Sequence, residues 1–200
     1  MKLGMKIKQI FVALLGNMFL GFGVGMTSLA RLGADPSVSF SQAASMQLGI
    51  TVGQMITITN VCLLIVVFIV KKKNIGLATL FVALLNRYPV DFILNTFPYK
   101  ESLIINILWV LAGIIFISIG CTIVMASDLG LGIYDAFVYG IADRFNKSFL
   151  VVRYTADSIF LILTILLKGY VGIGTILCYV LLGKVINTIR PTIIKTFKIK

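Results

Sequence analysis

Apolar residues along the chain are grouped into six long runs, which are separated by short polar segments. Each run is close to the length of about 20 residues that a helix needs to cross a hydrocarbon core of about 30 Å. The pattern therefore predicts an all-α integral membrane protein with six transmembrane helices. The predicted spans are Ile7–Ala30, Thr51–Val70, Ile75–Phe97, Leu103–Ser127, Phe149–Leu167 and Val171–Ile189.

Two further segments, Gly33–Gly49 and Gly130–Lys147, are moderately apolar but too short to cross a bilayer. The first lies between spans 1 and 2, and the second lies between spans 4 and 5. Backbone at membrane depth must satisfy its own hydrogen bonds, which favours helix over irregular loop. We therefore expect a short interfacial or re-entrant helix in each segment.

Basic residues in the loops predict the orientation, because Lys and Arg concentrate on the cytoplasmic side of a membrane protein. If the N-terminus is cytoplasmic, only Arg31, Lys100 and Lys168 fall outside. Twelve basic residues then fall inside: Lys2, Lys6, Lys8, Lys71, Lys72, Lys73, Arg144, Lys147, Arg190, Lys195, Lys198 and Lys200. This bias predicts a multi-pass protein with both termini in the cytoplasm.

The composition agrees with a membrane protein and narrows its chemistry. Hydrophobic residues make up 59% of the 200 residues and charged residues 12%, whereas soluble domains average about 25% charged residues. The net charge of +11 comes mostly from the ends of apolar runs, so no nucleic-acid surface is expected. There is no His, and the three Cys lie inside apolar runs. We therefore expect no enzyme, no metal site and no cofactor.

The chain repeats itself between residues 1–99 and residues 100–200, and each half holds three predicted spans. With a shift of 97, Leu32-Gly33 aligns with Leu129-Gly130; with a shift of 96, the segment from Ile75 aligns with that from Val171. An odd number of spans forces the second copy to enter from the opposite side. The sequence thus predicts one compact membrane domain of two inverted three-helix repeats, the recurring design of secondary transporters.

Seven polar residues fall near the centres of the predicted spans: Asn60, Arg87, Asp91, Arg153, Asp157, Lys184 and Asn187. Two pairs, Arg87/Asp91 and Arg153/Asp157, are spaced i, i+4 and can meet on one helix face. Pro89 lies inside the first pair and predicts a kink in span 3. Polar groups at bilayer depth are expensive and therefore indicate function.

These seven residues are the candidate substrate-binding residues of a cavity between the halves. They include three basic and two acidic residues, and the excess positive charge suits an anionic group. Asp91 or Asp157 could take up a proton for coupling. The alternative is that the charged residues only hold helices together, with each charge paired or reaching the headgroups.

A duplicated turn follows spans 1 and 4, and its residues form a second candidate set: Gly33, Asp35 and Pro36 in one copy, and Gly130, Gly132, Tyr134 and Asp135 in the other. The first glycine of each copy lies where a helix should end, and Asp35-Pro36 favours a new helix start. Two helix N-termini pointing into the membrane would supply partial positive charge. The alternative is a purely structural corner.

The segments Leu129–Asp135 and Gly172–Ile186 resemble motifs of the YczE/YitT-type family of bacterial integral membrane proteins, and the chain is closer to YczE. The chain departs from the family pattern at Ile133 and Lys184, which replace prolines, and at Ser37-Val38, which replace Trp-Asp in the first copy. The resemblance covers residues 10–190. It implies a permease-like protein of the bacterial plasma (inner) membrane and supplies no catalytic residues.

The sequence therefore predicts a small-molecule transporter or permease whose midplane site favours an anionic group. Its expected partners are the lipid bilayer, the substrate, and a proton or cation as coupling ion; the oligomeric state stays open. Two alternatives remain at this point. One is a substrate-capture subunit of an energy-coupled importer, and the other is a membrane regulatory or scaffold protein without transport.

Overall fold

The computed structural model describes residues 2–50 and 52–197, and the side chains of 6–50 and 54–197. Regular structure in these residues is helical: α1 (Lys2–Leu29), α2 (Pro36–Leu48), α3 (Val52–Lys71), α4 (Leu77–Leu85), α5 (Arg87–Thr96), α6 (Leu103–Ala126), α7 (Ile133–Arg144), α8 (Phe149–Leu166), α9 (Ile173–Leu177) and α10 (Gly183–Phe197). The all-α prediction is confirmed. The predicted start of span 2 at Thr51, the Lys2 side chain, and the basic residues Lys198 and Lys200 lie outside the described residues.

Six stretches in the described part of the chain are long and apolar enough to cross a membrane: Lys6–Leu29, Gln54–Asn74, Leu77–Thr96, Leu103–Ala126, Phe149–Leu166 and Ile173–Phe197. They confirm the six predicted spans. The third span comprises α4 and α5. The sixth comprises α9, a π-helical turn at Cys178–Leu182 and α10.

The third span is broken where the sequence predicts a kink. The helix α4 ends at Leu85, and α5 begins at Arg87. A proline ring clashes with the carbonyl of the residue four positions earlier and cannot donate a hydrogen bond. Since Leu85 is four residues before Pro89, the break falls at the turn that the proline disrupts.

The centre of the bundle is the crossing of α1 and α6, which pack closely along much of their length. Glycines make this approach possible. A Cβ atom on Gly16 would lie 2.7 Å from the backbone nitrogen of Val124, and one on Gly113 would lie 2.8 Å from the carbonyl oxygen of Gly23. Small residues at such crossings let two membrane helices come close enough for their backbones to touch.

The two short helices, α2 and α7, lie between the spans and point in opposite directions. The C-terminal part of α2 reaches the end of α8, because the Gln47 amide donates to the Leu167 carbonyl at 3.0 Å. The C-terminal part of α7 reaches the end of α3, because Lys71 pairs with Asp143. The short helices that the sequence predicts after spans 1 and 4 are therefore present as α2 and α7.

The two duplicated turns make equivalent contacts with the opposite half of the chain. The Leu32 carbonyl accepts from the Gly174 amide at 2.7 Å, and the Leu129 carbonyl accepts from the Ala78 amide at 3.0 Å. The glycines that follow these two leucines have φ angles of +97° and +108°, which side chains rarely tolerate. Each turn therefore docks its backbone onto the start of a span in the other half.

The two halves differ in how their second and third spans meet. In the second half, α8 packs against α10. In the first half, α3 makes no comparable contact with α5, and both helices are largely exposed along their outer faces. The third span of the first half therefore packs mainly on α1 and leaves one side open.

Candidate functional site

Arg153 is a buried arginine that is surrounded by acidic residues. Ser148 is the N-cap of α8, and its hydroxyl accepts from the Val151 amide. One turn later, Arg153 carries a guanidinium whose side chain is only 3% exposed. A lone charge in such surroundings is unstable unless it is paired and hydrogen-bonded.

Three carboxylates pair with this guanidinium. Arg153 lies 3.2 Å from Asp135, 3.4 Å from Asp157 and 3.5 Å from Asp35, measured between nitrogen and oxygen atoms. The side chains of Asp157 and Asp135 are 1% and 6% exposed, and that of Asp35 is 18% exposed. We call these four residues, together with Tyr134, the Arg153 cluster.

The carboxylates come from three different elements. Asp157 lies one turn after Arg153 on α8, so the helix itself places the pair on one face. Asp35 is the N-cap of α2, where its side chain accepts from the Ser37 amide at 3.1 Å. Asp135 lies in the first turn of α7. The N-terminal ends of both short helices therefore meet at one arginine.

Tyr134 closes the cluster from the side of α7. Its ring lies under the guanidinium, with 4.8 Å from the Arg153 Cζ atom to the ring centroid, a geometry that gains cation–π attraction. Its hydroxyl donates to the Asp157 carboxylate. The ring also packs against Phe160 at a centroid distance of 6.1 Å, so the polar contacts have an apolar wall on one side.

Helix α10 leaves room for the arginine stem. A Cβ atom on Gly183 would lie 3.4 Å from the Arg153 Cγ atom, so the aliphatic part of the side chain runs along the backbone of α10. The Arg153 Nε atom has no hydrogen-bond partner, although it lies 3.4 Å from Asp157. One donor inside the cluster is thus left without a well-directed acceptor.

The cluster contains more acidic than basic residues, which differs from the expectation. With every group counted as ionised, one arginine and three carboxylates have a formal charge of +1 − 3 = −2. Each helix N-terminus contributes the equivalent of about half a positive charge, which offsets only part of this. The expected excess of positive charge counted Arg87 and Lys184, which lie elsewhere, and omitted Asp35 and Asp135.

The structure places the other predicted midspan residues outside the cluster. Asn60 is half-buried on α3, whereas Lys184 and Asn187 are exposed on α10, and Arg87 and Asp91 are exposed on α5. These residues lie outside the cluster because each helix turns a different face toward the bundle. The sequence pattern located the depth of these residues but not the side of the helix that the neighbours cover.

On α5, the covered side is fixed by two residues that pack onto glycines of α1. A Cβ atom on Gly25 would lie 2.8 Å from the Ile93 Cβ atom, and Gly21 faces the Pro89 ring. With Pro89 and Ile93 turned inward, Arg87 and Asp91 turn outward, because residues two positions apart lie on opposite sides of a helix. The predicted Arg87/Asp91 ion pair is also absent, since Arg87 instead donates to the Tyr88 hydroxyl at 3.0 Å.

The glycines of the duplicated turn have structural roles in the structure. Gly33 and Gly130 adopt the positive φ angles of the two turns, and Gly132 is the N-cap of α7. Pro36 is buried in the first turn of α2. The sequence pattern gave the turn residues and the midspan residues as two separate candidate sets. In the structure, Arg153 contacts acidic residues of both sets. The presence of acidic residues in both sets, and of Arg153 one turn before Asp157, could have predicted this joint site.

Carboxylates in such a group could in principle hold a metal ion, but here the guanidinium lies among them. Within the described residues, no group of three or more His, Cys, Asp or Glu side chains is arranged to hold a metal ion. In this arrangement a carboxylate can give up its contact with the Arg153 guanidinium and bind another positive charge instead. Such exchange includes taking up a proton or another cationic group.

Six membrane spans around a buried ionic cluster define a polytopic membrane protein. The chain belongs to a family of unknown function (DUF6198), whose model matches residues 7–191. It is similar to the uncharacterized protein YyaS of Bacillus subtilis (strain 168), with 27% identity over 186 residues, or 92% of each chain. It is also similar to an uncharacterized protein of Haemophilus influenzae (strain ATCC 51907 / DSM 11121 / KW20 / Rd), with 28% identity over 180 residues, 90% of this chain and 82% of the relative.

No solved structure matches the chain. The matching relatives are bacterial proteins without an assigned function. The resemblance to the YczE/YitT-type family stays a prediction, because the matching family and both relatives carry other names.

Proposed function

We propose that the protein is a small-molecule transporter of the bacterial plasma membrane, and that the Arg153 cluster is its substrate or coupling-ion site. The observation that carries the proposal is the convergence of Asp35, Asp135 and Asp157 on one buried arginine within a membrane bundle. Ionisable groups at this depth are expensive to maintain, and in membrane proteins they mark substrate and ion pathways.

The arrangement of the short helices supports transport. Secondary transporters commonly use interrupted helices whose N-termini meet near the midplane, at the interface between inverted repeats. Here α2 and α7 both begin at the cluster and extend toward opposite ends of the bundle. The cluster thus combines residues of both halves, Asp35 from the first and Arg153 from the second.

The helix contacts support the proposed inverted repeat of residues 1–99 and 100–200. The helix α2 packs on α3 and α8, and α7 packs on α8 and α3. The helix α1 packs on α5, and its counterpart α6 packs on α10. The reciprocal hydrogen bonds of Leu32 and Leu129 follow the same exchange. A pseudo-twofold axis between α1 and α6 accounts for all of these pairs.

The negative charge of the cluster favours a proton or a cationic group over an anion. An anionic substrate would have to approach three carboxylates with only one guanidinium to attract it. A cationic group could instead replace Arg153 as the partner of one carboxylate, and a proton could neutralise one directly. We therefore propose Asp157 as the residue that accepts the positive charge, since it already pairs with both Arg153 and Tyr134.

A thermal-shift screen with matched panels of cationic and anionic metabolites tests the sign of the ligand. A ligand at 100 times its Kd stabilises the folded state by about 2.7 kcal/mol, so binders raise the melting temperature. We expect hits among the cationic compounds with the wild type and with Asp143→Asn, whose carboxylate forms a surface ion pair with Lys71. The same compounds should fail to stabilise Asp157→Asn.

Uptake into proteoliposomes then tests transport itself. A radiolabelled hit from the screen should enter vesicles that contain the wild type or Asp143→Asn, and an imposed proton gradient should change its rate of entry. Vesicles with Asp157→Asn should show only background uptake. Equal uptake by all three proteins would contradict the assignment of the site, and anionic hits alone would contradict the proposed sign.

A second candidate function is a regulatory or scaffold protein that transports nothing. It is favoured by the pairing of every carboxylate of the cluster with Arg153, which leaves each charge with a partner. This candidate expects no hits and no uptake with any compound. Copurification with an ATPase would instead support a capture subunit of an energy-coupled importer.

A further inference from the structure

A row of exposed side chains runs along the outer face of the third span. We call it the span-3 stripe, and it consists of Leu84, Arg87, Tyr88, Asp91, Phe92 and Asn95, all of them exposed. Their spacing of three and four residues places them on one side of a helix. The stripe alternates apolar and polar groups, unlike the uniformly apolar surface that faces lipid in most membrane helices.

The charged residues of the stripe lie within the span, and Arg87 lies near its middle. Arg87 is ten residues after Leu77 and nine before Thr96, the ends of the span. At a rise of about 1.5 Å per residue, it lies about 15 Å from either end. Charged groups at this depth normally pair with one another or face the interior of an assembly. Arg87 forms no ion pair with Asp91; its guanidinium lies over the ring of the neighbouring Tyr88 and donates to the Tyr88 hydroxyl.

The described residues of the chain do not cover this face. In the second half, the corresponding third span packs against α8, whereas α5 has no comparable contact with α3. An apolar groove with a volume of 610 Å³ runs beside the stripe between α1 and α5, and Tyr88 and Phe92 line it. Asn17 also lines the groove, and its buried side-chain oxygen has no hydrogen-bond partner within the described part of the chain. Stripe and groove form one continuous uncovered surface.

We propose that this surface binds a second copy of the chain, with Arg87 of each copy paired with Asp91 of the other. Two copies with the same membrane orientation are related by a twofold axis along the membrane normal, which makes the interface self-complementary. Arg87 and Asp91 differ in depth by about 6 Å along a helix, a distance that an arginine side chain spans. Arg87 and Asp91 of the two copies thus form two intermolecular ion pairs within the membrane.

A second copy satisfies the chemistry of the stripe better than a lipid does. Acyl chains would fill the apolar groove but would leave the charges of Arg87 and Asp91 without partners. A second stripe offers a carboxylate for the arginine, an arginine for the carboxylate, and an amide for the amide at matching depths. Polar side chains of this kind join membrane helices by hydrogen bonds.

Charge reversal tests the proposed dimer without reference to transport. The wild type, reconstituted in nanodiscs or a mild detergent, should be a dimer by native mass spectrometry. Arg87→Asp and Asp91→Arg should each bring like charges together and raise the dimer dissociation constant at least tenfold. The double variant Arg87→Asp/Asp91→Arg restores opposite charges and should recover the wild-type value. Lys184→Asp, on the exposed face of α10, is the matched control and should leave the dimer intact.

Cysteine cross-linking provides a second measurement that does not depend on weakened binding. In a Cys62→Ser background, which removes the exposed native thiol, Asn95→Cys should form an intermolecular disulfide on mild oxidation. Ile69→Cys, on the exposed face of α3, should not. A monomeric wild type, a double variant that folds but stays monomeric, or cross-linking at residue 69 rather than 95 would overturn the proposal. Monomers that retain tightly bound lipid would assign the surface to lipid instead.

Discussion

At the scale of single residues, the cluster depends on one side chain with five N–H donors. A guanidinium is planar and can contact several carboxylates at once, whereas a lysine presents a compact point charge. Arg153 uses this geometry to contact acidic residues from α2, α7 and α8 together. Removing it would leave three buried carboxylates near one another, so the arginine and its acidic partners must be considered as one unit.

Tyr134 offers a clean measurement of a single bond in this unit. Tyr134→Phe keeps the ring under the guanidinium but removes the hydroxyl that donates to Asp157. We expect the free energy of unfolding to fall by about 2 kcal/mol, the typical contribution of a hydrogen bond to a charged group. Reversible unfolding in mixed micelles measures this loss.

Tyr139 provides the matched control on the same helix. Its hydroxyl is buried and has no hydrogen-bond partner among the described residues, so Tyr139→Phe should leave stability unchanged or raise it slightly. If both variants lost the same stability, the loss would not be due to the Tyr134–Asp157 hydrogen bond, and this bond would make no measurable contribution to the free energy of unfolding.

At the scale of the helices, the sequence predicted the elements well. Apolar runs located all six spans, because a bilayer requires about 20 apolar residues from any helix that crosses it. Pro89 predicted the break between α4 and α5. The turn glycines Gly33 and Gly130 lie four residues after the ends of α1 and α6, which Arg31 and Asp128 follow with positive φ angles. The spans and the proline break depend on the local sequence, so they can be predicted from neighbouring residues.

The face that each helix presents to its neighbours was not predictable in the same way. A fully apolar span has no polar side that marks the surface, so the inward face depends on packing with other helices. The inward turn of Pro89 and Ile93 toward α1, for example, places Arg87 on the outside. For the same reason, the sequence placed Arg153 and Asp157 together but assigned Arg87 and Asp91 to the same site.

The contact of α1 with α6 gives a prediction at this scale. In Gly16→Ala, the added methyl group would lie 2.7 Å from a backbone atom of α6, which cannot move independently. We expect a loss of about 1–3 kcal/mol in unfolding free energy, the usual effect of overpacking. Unfolding curves of the purified variant measure it.

Gly140 on α7 is the corresponding control. A Cβ atom there would meet its nearest neighbours at 3.6–3.8 Å, an ordinary contact distance. Since alanine is also a better helix former than glycine, Gly140→Ala should be neutral or stabilising by less than about 1 kcal/mol. A Gly16→Ala variant as stable as this control would mean that α1 and α6 can separate without loss.

At the scale of the whole molecule, the positive charges predict how the bundle lies in the membrane. The 310 turn Lys72–Asn74 follows α3, and the loop that contains Lys100 joins α5 to α6. The excess of basic residues beside Lys72 predicts that this end of the bundle faces the cytoplasm. Both described ends of the chain would then lie on the cytoplasmic side.

Labelling of single cysteines tests this topology in intact cells. In a Cys62→Ser background, Lys100→Cys should react with a membrane-impermeant maleimide added from outside. Lys72→Cys should react only after the cells are opened. Labelling of Lys72→Cys in intact cells, with protection of Lys100→Cys, would invert the orientation while leaving the six spans unchanged.

The proposed twofold axis limits how the Arg153 cluster could have arisen. With a shift of 97, the first-half counterparts of Arg153, Asp157 and Asp135 are Ile56, Asn60 and Val38. Because Arg153 already contacts both short helices where they meet, an identical first half would bring a second guanidinium to the same place. An assembly of two identical half-length ancestors could therefore not have contained this cluster. Under the proposed inverted repeat, the two halves therefore had to diverge before one bundle could hold a single arginine among three carboxylates.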